Sequence, residues 1–297
     1  MKKHILFGLL LVATAAAAVA CAVPAEESRT QESMSAVSEP ESRAETESGI
    51  EESEPEESEE RTQTVTVESG ELTAAVFEKL TAAGYASEAS EWMDLEAAVN
   101  ADGYRWLSQV TNREERCFFT EGYIMPGQYE IPEEATPAQV LDQLLRGWEE
   151  RLPQELQNRL EESPFSMDEV LTMASIVEWE SAYGTDPTIK PNIAAVIRNR
   201  LQQGMPLQMD TSWFYLQALR EIGLKDPAPY EEAYDTYTCP ALPPGPICNP
   251  GLDAVRAVLE APETKNLFFV WKVETGEYFF AETYEGHLKN IEKAGIE

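Results

Sequence analysis

The sequence predicts an α+β protein, with a small mixed α/β module over 62–165 and a mainly helical domain over 166–297 that carries a β-hairpin. Three observations predict it. Apolar residues recur at helical spacing in several segments, most clearly from 166 to 180. Strand-like runs are short and few, at 64–67 and across "NLFFVWKVETGEYFFA". Apolar residues make up 43% of the 297, enough to bury one sizeable core.

The first 21 residues, "MKKHILFGLLLVATAAAAVAC", have a basic start (Lys2, Lys3), an apolar run from 5 to 20 and a small-residue exit, the layout of an export signal. Ala18-Val19-Ala20 fits cleavage and release; Cys21 directly after it resembles a bacterial lipobox cysteine and is the candidate lipid anchor. Either ending places the remainder on the extracytoplasmic side, with the anchored form at the cell membrane. Residues 22–61 are dominated by Glu and Ser with almost no large apolar side chain, so they cannot offset chain entropy by burial. They read as an acidic tether with a root-mean-square span of roughly 35 Å.

Alternation over 64–67 predicts a short strand, and Leu72, Val76, Phe77 and Leu80 predict a helix that Gly84 stops. A further helical stretch is expected over 95–110. Pro126-Gly127 marks a turn before an extended piece, and Thr136-Pro137 opens the next helix, a capping residue followed by proline at the first helical position. The helix after it starts at Ser166-Met167-Asp168-Glu169, an S-x-x-E capping box with acids at the positive helix end.

On that helix Val170, Met173, Ala174 and Val177 share one face. Glu178 projects beside this face, above Ala174 and Leu171; Glu180 lies about 160° away around the axis. A helix over 191–203 ends at Gly204. "YDTYTCPALPPGPICNPG", 234–251, is too rich in Pro and Gly for regular structure and forms a shaped loop. "GLDAVRAVLE" is a helix, the hairpin turns at Thr275-Gly276, and "TYEGHLKNI" is a closing helix.

A formal charge of −32 disfavours nucleic acid and anionic membrane faces as partners, because like charge repels on approach. A neutral or modestly charged polymer is easier to accommodate. His4 and His287 are far apart and no zinc spacing occurs, so neither a metal site nor a cofactor is expected. Cys117, Cys239 and Cys248 are odd in number once Cys21 is set aside; Cys239 and Cys248 flank "PALPPGPI" and either bridge or stay free.

Either helix carboxyl, if covered by a neighbouring element, is desolvated, and its pKa rises toward the working pH, as suits a proton donor to a leaving oxygen. Periodicity does not choose between Glu178 and Glu180. The plainer alternative is a glutamate at the edge of the stripe, paired to Arg198 or Arg200 or turned to water. Two residues apart, the carboxyls point to nearly opposite sides and cannot flank one glycosidic bond as a two-carboxyl glycosidase requires. Sugar chemistry here therefore needs one of them plus Asp210, a water or a hydroxyl of the substrate.

"ASIVEWES", "IAAVIRNRLQQGMPLQMD", "YDTYTCPALPPGPICNPG" and "FFAETYEGHLKNI", in that order, resemble the YceG-like family of endolytic murein transglycosylases, the MltG proteins. "EGYIMPGQYEIPEEATPAQVL" resembles the segment before the family's catalytic helix; the likeness covers about 115–290 well and 62–114 loosely. It implies cleavage of peptidoglycan glycan strands within the chain, between N-acetylmuramic acid and N-acetylglucosamine, leaving a 1,6-anhydromuramoyl end and using no cofactor. The family's catalytic glutamate falls on Glu178, acting as acid and then as base. Glu180, Gln208, Asp210, Tyr234, Thr236 and Asn249 match polar positions placed around the sugars, with Tyr237 as a stacking surface. The implied partners are glycan strands, the membrane through the N-terminal anchor and the cell-wall synthesis machinery.

The chain departs from the family pattern in places. Tyr234-Asp235-Thr236-Tyr237 replaces the usual Y-N-T-Y, Met209-Asp210-Thr211-Ser212 keeps only the Asp of T-D-P-T, and Leu288 follows His287 where Asn is common. The stretch before the catalytic helix holds only part of the LysM-like module of many members. The rival reading is a non-catalytic exported peptidoglycan-binding lipoprotein using the same groove.

Overall fold

The structure, a computed structural model, describes residues 61–296. The export signal with Cys21 and the acidic tether up to residue 60 lie outside the described residues. The architecture is α+β. Strand β1 (Thr62–Val67) is followed by helices α1 (Thr73–Ala82) and α2 (Ala89–Ala98), then β2 (Gly127–Pro132), α3 (Pro137–Leu145), α4 (Gly147–Arg151) and α5 (Gln154–Glu162). Helices α6 (Met167–Glu180), α7 (Ile189–Gln202), α8 (Thr211–Ile222) and α9 (Leu252–Leu259) precede the hairpin β3 (Phe268–Lys272) and β4 (Glu277–Ala281), and α10 (Tyr284–Ala294) closes the chain.

β1 pairs antiparallel with β2, from Thr62 opposite Pro132 to Val67 opposite Gly127. Val65 and Val67 are buried, and in α1 Val76, Phe77 and Leu80 are fully buried. The stretch expected to be helical over 95–110 is not one helix. α2 ends at Ala98 and short 3₁₀ turns follow, because Val99 and Tyr104 adopt non-helical backbone angles. α3 has its expected cap: the Thr136 hydroxyl accepts from Gln139 N–H, the Gln139 side chain accepts in return, and Pro137 opens the helix. Helix α8 was not expected from the sequence, yet Thr211, Ser212, Tyr215, Leu216 and Leu219 make one buried stripe, and Gly223 ends it in the left-handed region at φ 77°.

α6 has the expected capping box between Ser166 and Glu169. It is not a surface helix with one apolar stripe: everything from Val170 to Val177 is buried, and α7, α8 and α9 pack around it. The apolar core runs across the 165/166 boundary, joining Val65, Phe77 and Trp148 to Val170, Ile176 and Ile197. Ser175, inside α6, accepts the N–H of Ile247 at 3.0 Å, so the Pro/Gly-rich loop folds onto the helix. Gly122 allows this, since a Cβ there would sit 2.4 Å from Pro246. Cys117, Cys239 and Cys248 are free thiols.

A carboxyl group lies deep in the core. Glu121 is 1% exposed; its Oε1 accepts the N–H of Thr73 at 2.9 Å, while Oε2 and the hydroxyls of Tyr215 and Tyr234 have no hydrogen-bond partner. Burial pushes this carboxyl up to about 8. The folded chain then holds a proton that the unfolded chain releases above the ordinary glutamate range, so this group's contribution is complete below about pH 4.5 and is lost as pH rises to about 8. Glu121→Gln is therefore expected to stabilise the fold by roughly 2–5 kcal/mol at pH 8 and by little at pH 4.5. Urea unfolding at the two pH values checks this; an equal effect at both would contradict it.

Candidate active site

Glu178 and Glu180 sit on the last turn of α6, and their side chains have separate sets of partners. Glu178 Oε1 accepts from Lys190 Nζ of α7 at 2.8 Å, and Oε2 accepts the backbone N–H of Gly251 at 3.0 Å. Gly251 is the N-cap of α9, so the carboxylate meets the positive end of that helix. Lys190 also bonds Asp253 Oδ2 at 2.8 Å. Burial lowers the ammonium's proton affinity, but its bonds to Asp253 and Glu178 outweigh this and raise it.

Backbone approaches Glu178 closely. A Cβ on Gly70 would come within 3.5 Å of Glu178 Cγ, and one on Gly251 would lie 2.5 Å from Ser69 Oγ. Trp179 Nε1 donates to Gly70 O at 2.9 Å, and Glu71 and Asn249 form an isolated antiparallel bridge. The β1–α1 turn and the start of α9 thus meet beside Glu178, leaving its side chain 12% exposed. Neither arginine considered from the sequence pairs with Glu178 or Glu180. Arg198 donates to the carbonyls of Ala261 and Pro262, and Arg200 to those of Leu267, Pro206 and Leu207.

Glu180 faces a different cluster. Its Oε1 accepts from Thr211 Oγ1 at 3.1 Å, and Tyr278 donates to its backbone carbonyl at 2.6 Å. Burial, reinforced by the charge of Asp210 and opposed by the Thr211 hydroxyl, pushes the Glu180 carboxyl up to about 7. Asp210 Oδ1 accepts the Tyr237 hydroxyl at 2.7 Å; burial and that bond push the Tyr237 phenol up. Tyr237 remains 50% exposed. Thr236 Oγ1 accepts the N–H of Met209 and donates to its carbonyl, fixing the 208–210 turn. Within that turn Gln208 has φ 53°, a strained value for a non-glycine residue, and its Oε1 accepts from Arg200 at 3.3 Å.

The fold brings Glu180, Gln208, Asp210, Thr236 and Tyr237 together through Thr211, Arg200 and the 208–210 turn. It places two other expected sugar contacts elsewhere. Asn249 is fully buried, where it accepts from Ile124 N–H and donates to Glu71 O and Thr73 Oγ1. Tyr234 is 1% exposed with its ring 5.4 Å from that of Tyr215. Asn249 satisfies backbone from within the loop, while Tyr234 packs its ring in the core. Sequence reasoning missed Lys190, Gly251 and Asp253. Only the distance of 12 residues between Glu178 and Lys190 is local enough to have hinted at the pair.

Asp253 raises the question of a second catalytic carboxylate. Lys190 Nζ lies between it and Glu178 and bonds both at 2.8 Å, filling the space a glycosidic bond would need between paired carboxyls. A cavity of about 400 Å³ lies at the other end of α6, lined by Asn112, Asp168, Thr172 and the 240–244 segment, and includes neither glutamate. Among the described residues no three His, Cys, Asp or Glu side chains are grouped to hold a metal ion.

Comparison with known proteins gives one consistent picture. The model of the YceG-like family matches residues 23–293. An endolytic murein transglycosylase of Streptococcus pneumoniae is 31% identical over 177 residues, covering 58% of this chain and 31% of the relative. One of Bacillus subtilis is 30% identical over 175 residues, covering 58% of this chain and 47% of the relative. The matched region thus spans less than half the length of these relatives. A solved structure of a putative yceG-like protein from Listeria monocytogenes superposes with a TM-score of 0.61 at 22% identity, covering 76% of this chain and 75% of that one.

Proposed function

The chain belongs to the YceG-like family, and from that premise we propose that it is a lytic transglycosylase cutting peptidoglycan glycan strands within the chain. The similarity to endolytic murein transglycosylases supports the substrate class. The observation that carries the reaction type is the single available carboxyl in the Glu178 crevice, with Lys190 occupying the space beside Asp253. Among the described residues Asp253, the carboxylate that shares Lys190 with Glu178, is held by that ammonium, and in this reading the substrate supplies the nucleophile.

In the proposed step protonated Glu178 gives its proton to the oxygen joining N-acetylmuramic acid to N-acetylglucosamine, and the bond from that oxygen to the muramic anomeric carbon breaks. The carboxylate left behind faces the Lys190 ammonium and the Gly251 N–H, donors already aimed at it. It then takes the proton from the muramic O6 hydroxyl as that oxygen bonds to the anomeric carbon. The product is a 1,6-anhydromuramoyl end, no water is consumed, and Glu178 is protonated again. Exclusion of competing water by the bound strand is part of this reading.

A second reading is favoured by the environment of Glu180. Burial pushes its carboxyl up to about 7, which suits a proton donor that gives and takes back the proton alone, in place of Glu178. Mass analysis of strand ends after digestion of purified sacculi tests the shared proposal. New ends one water lighter than hydrolysis products support it; reducing ends, or no new ends, overturn it.

This reading carries a location with it: the extracytoplasmic face of the cell membrane, reached through the export signal and held through Cys21. Cys21→Ala is expected to move the chain from the membrane fraction to the soluble exported fraction, and retention in the membrane would contradict lipid anchoring. The proposed partners are peptidoglycan strands and the cell-wall synthesis machinery.

A further inference from the structure

Helix α6 leads straight into an aromatic surface that the proposed chemistry does not use. Tyr183, three residues beyond Glu180, is 57% exposed, and one face of its ring lies on Trp271 of β3, with centroids 4.1 Å apart and planes 6° from parallel. Trp271 stacks in turn toward Tyr278 of β4 at 6.4 Å and 24°. Tyr278 is the residue whose hydroxyl bonds the Glu180 carbonyl. The backbone beneath the pair is closely seated: a Cβ on Gly276 would lie 2.3 Å from the Tyr183 carbonyl oxygen, and one on Gly184 2.9 Å from the Tyr278 ring.

We propose that Tyr183 and Trp271 form a stacking platform for a pyranose ring of the glycan strand, outside the bond that is cut. The inference rests on the function proposed above. Tyr183 is over half exposed, and the ring face turned away from Trp271 forgoes burial that an apolar partner would supply. A pyranose offers such a partner in the C–H face of its ring, while its hydroxyls and acetamide stay solvated. Tyr278 joins the platform to the backbone at the end of α6 that carries Glu180, so a strand passing that end of the helix would meet the Tyr183 ring. The chain's charge of −32 leaves the uncharged sugar face as the natural contact. Stacked, rigid rings also lose little conformational freedom when the strand arrives.

A contact remote from the reacting bond acts equally in ground and transition states, so its loss raises KM and leaves kcat. The probe is peptide-free glycan strands of alternating N-acetylglucosamine and N-acetylmuramic acid, with the full chain as enzyme. Tyr183→Ala and Trp271→Ala are expected to raise KM roughly three- to tenfold, with Tyr183→Phe and Trp271→Phe restoring it. Tyr284→Ala, an exposed aromatic on α10, is expected to change nothing. The same strands titrated into Glu178→Gln, with and without Tyr183→Ala, read affinity without turnover. Unchanged KM and affinity in Tyr183→Ala overturn the platform, and because that side chain is exposed its removal does not threaten folding. A chain that binds strands through Tyr183 yet makes no anhydro ends keeps the platform and loses the proposed reaction. Cleavage with unaltered KM in Tyr183→Ala does the opposite.

Discussion

Glu178→Gln is expected to lower strand cleavage by roughly 10²–10⁴-fold while leaving the fold and strand affinity in place. The amide keeps the shape of the side chain and can still accept one of the two hydrogen bonds now made by Lys190 and Gly251. It cannot carry a proton out to the leaving oxygen and collect one from the muramic hydroxyl. Glu180→Gln is expected to retain activity within about tenfold, a smaller loss than removal of an acid catalyst produces. Release of anhydro-ended fragments from sacculi, followed against circular dichroism for folding, measures both. If the two variants exchange behaviour, Glu180 is the donor and its pKa of about 7 is the reason.

Arg116→Met is expected to destabilise the fold by about 3–5 kcal/mol. Arg116 is 2% exposed and makes a bidentate pair with Asp168, at 2.8 Å and 2.6 Å. Its Nε donates to Asn112 Oδ1 at 2.9 Å, and Asn112 donates to Pro244 O at 2.8 Å. Removing the guanidinium strands the Asp168 carboxylate beside Tyr123, whose hydroxyl donates to it, and loosens the loop from the first turn of α6. Asp168→Leu added to Arg116→Met removes the stranded charge and should recover part of the loss. Urea midpoints of the single and double variants check this, and full stability of Arg116→Met would contradict it.

The start of α6 was legible because its signals are local: the capping box at Ser166 and Glu169 spans four residues. The helix's interior was harder. Its periodic stripe identified one apolar face, whereas α7, α8 and α9 bury everything from Val170 to Val177, and that covering depends on chain returning from far away. The same holds for β1, whose partner β2 begins sixty residues after the first strand's own end. Within the site, Gln208, Asp210, Thr236 and Tyr237 were singled out only by their match to a family pattern, and the fold sets them near Glu180. The surroundings of Glu178 were not legible: Gly251 reaches it, and Asp253 reaches its partner Lys190, only because the loop after Tyr234 folds inward. That inward turn is also why Asn249 and Tyr234, polar residues in a loop rich in Pro and Gly, are core groups. Their polarity marked buried hydrogen bonding or ring packing, and composition alone does not separate that from ligand contact.

Digestion of purified sacculi in heavy-oxygen water decides where the nucleophile comes from. If the muramic hydroxyl attacks within a crevice walled by Gly70 and Gly251, the newly formed anhydro ends carry no heavy oxygen, however long the reaction runs. Heavy oxygen at the anomeric position of new reducing ends would show that water attacks, and the single-glutamate cyclisation would be wrong.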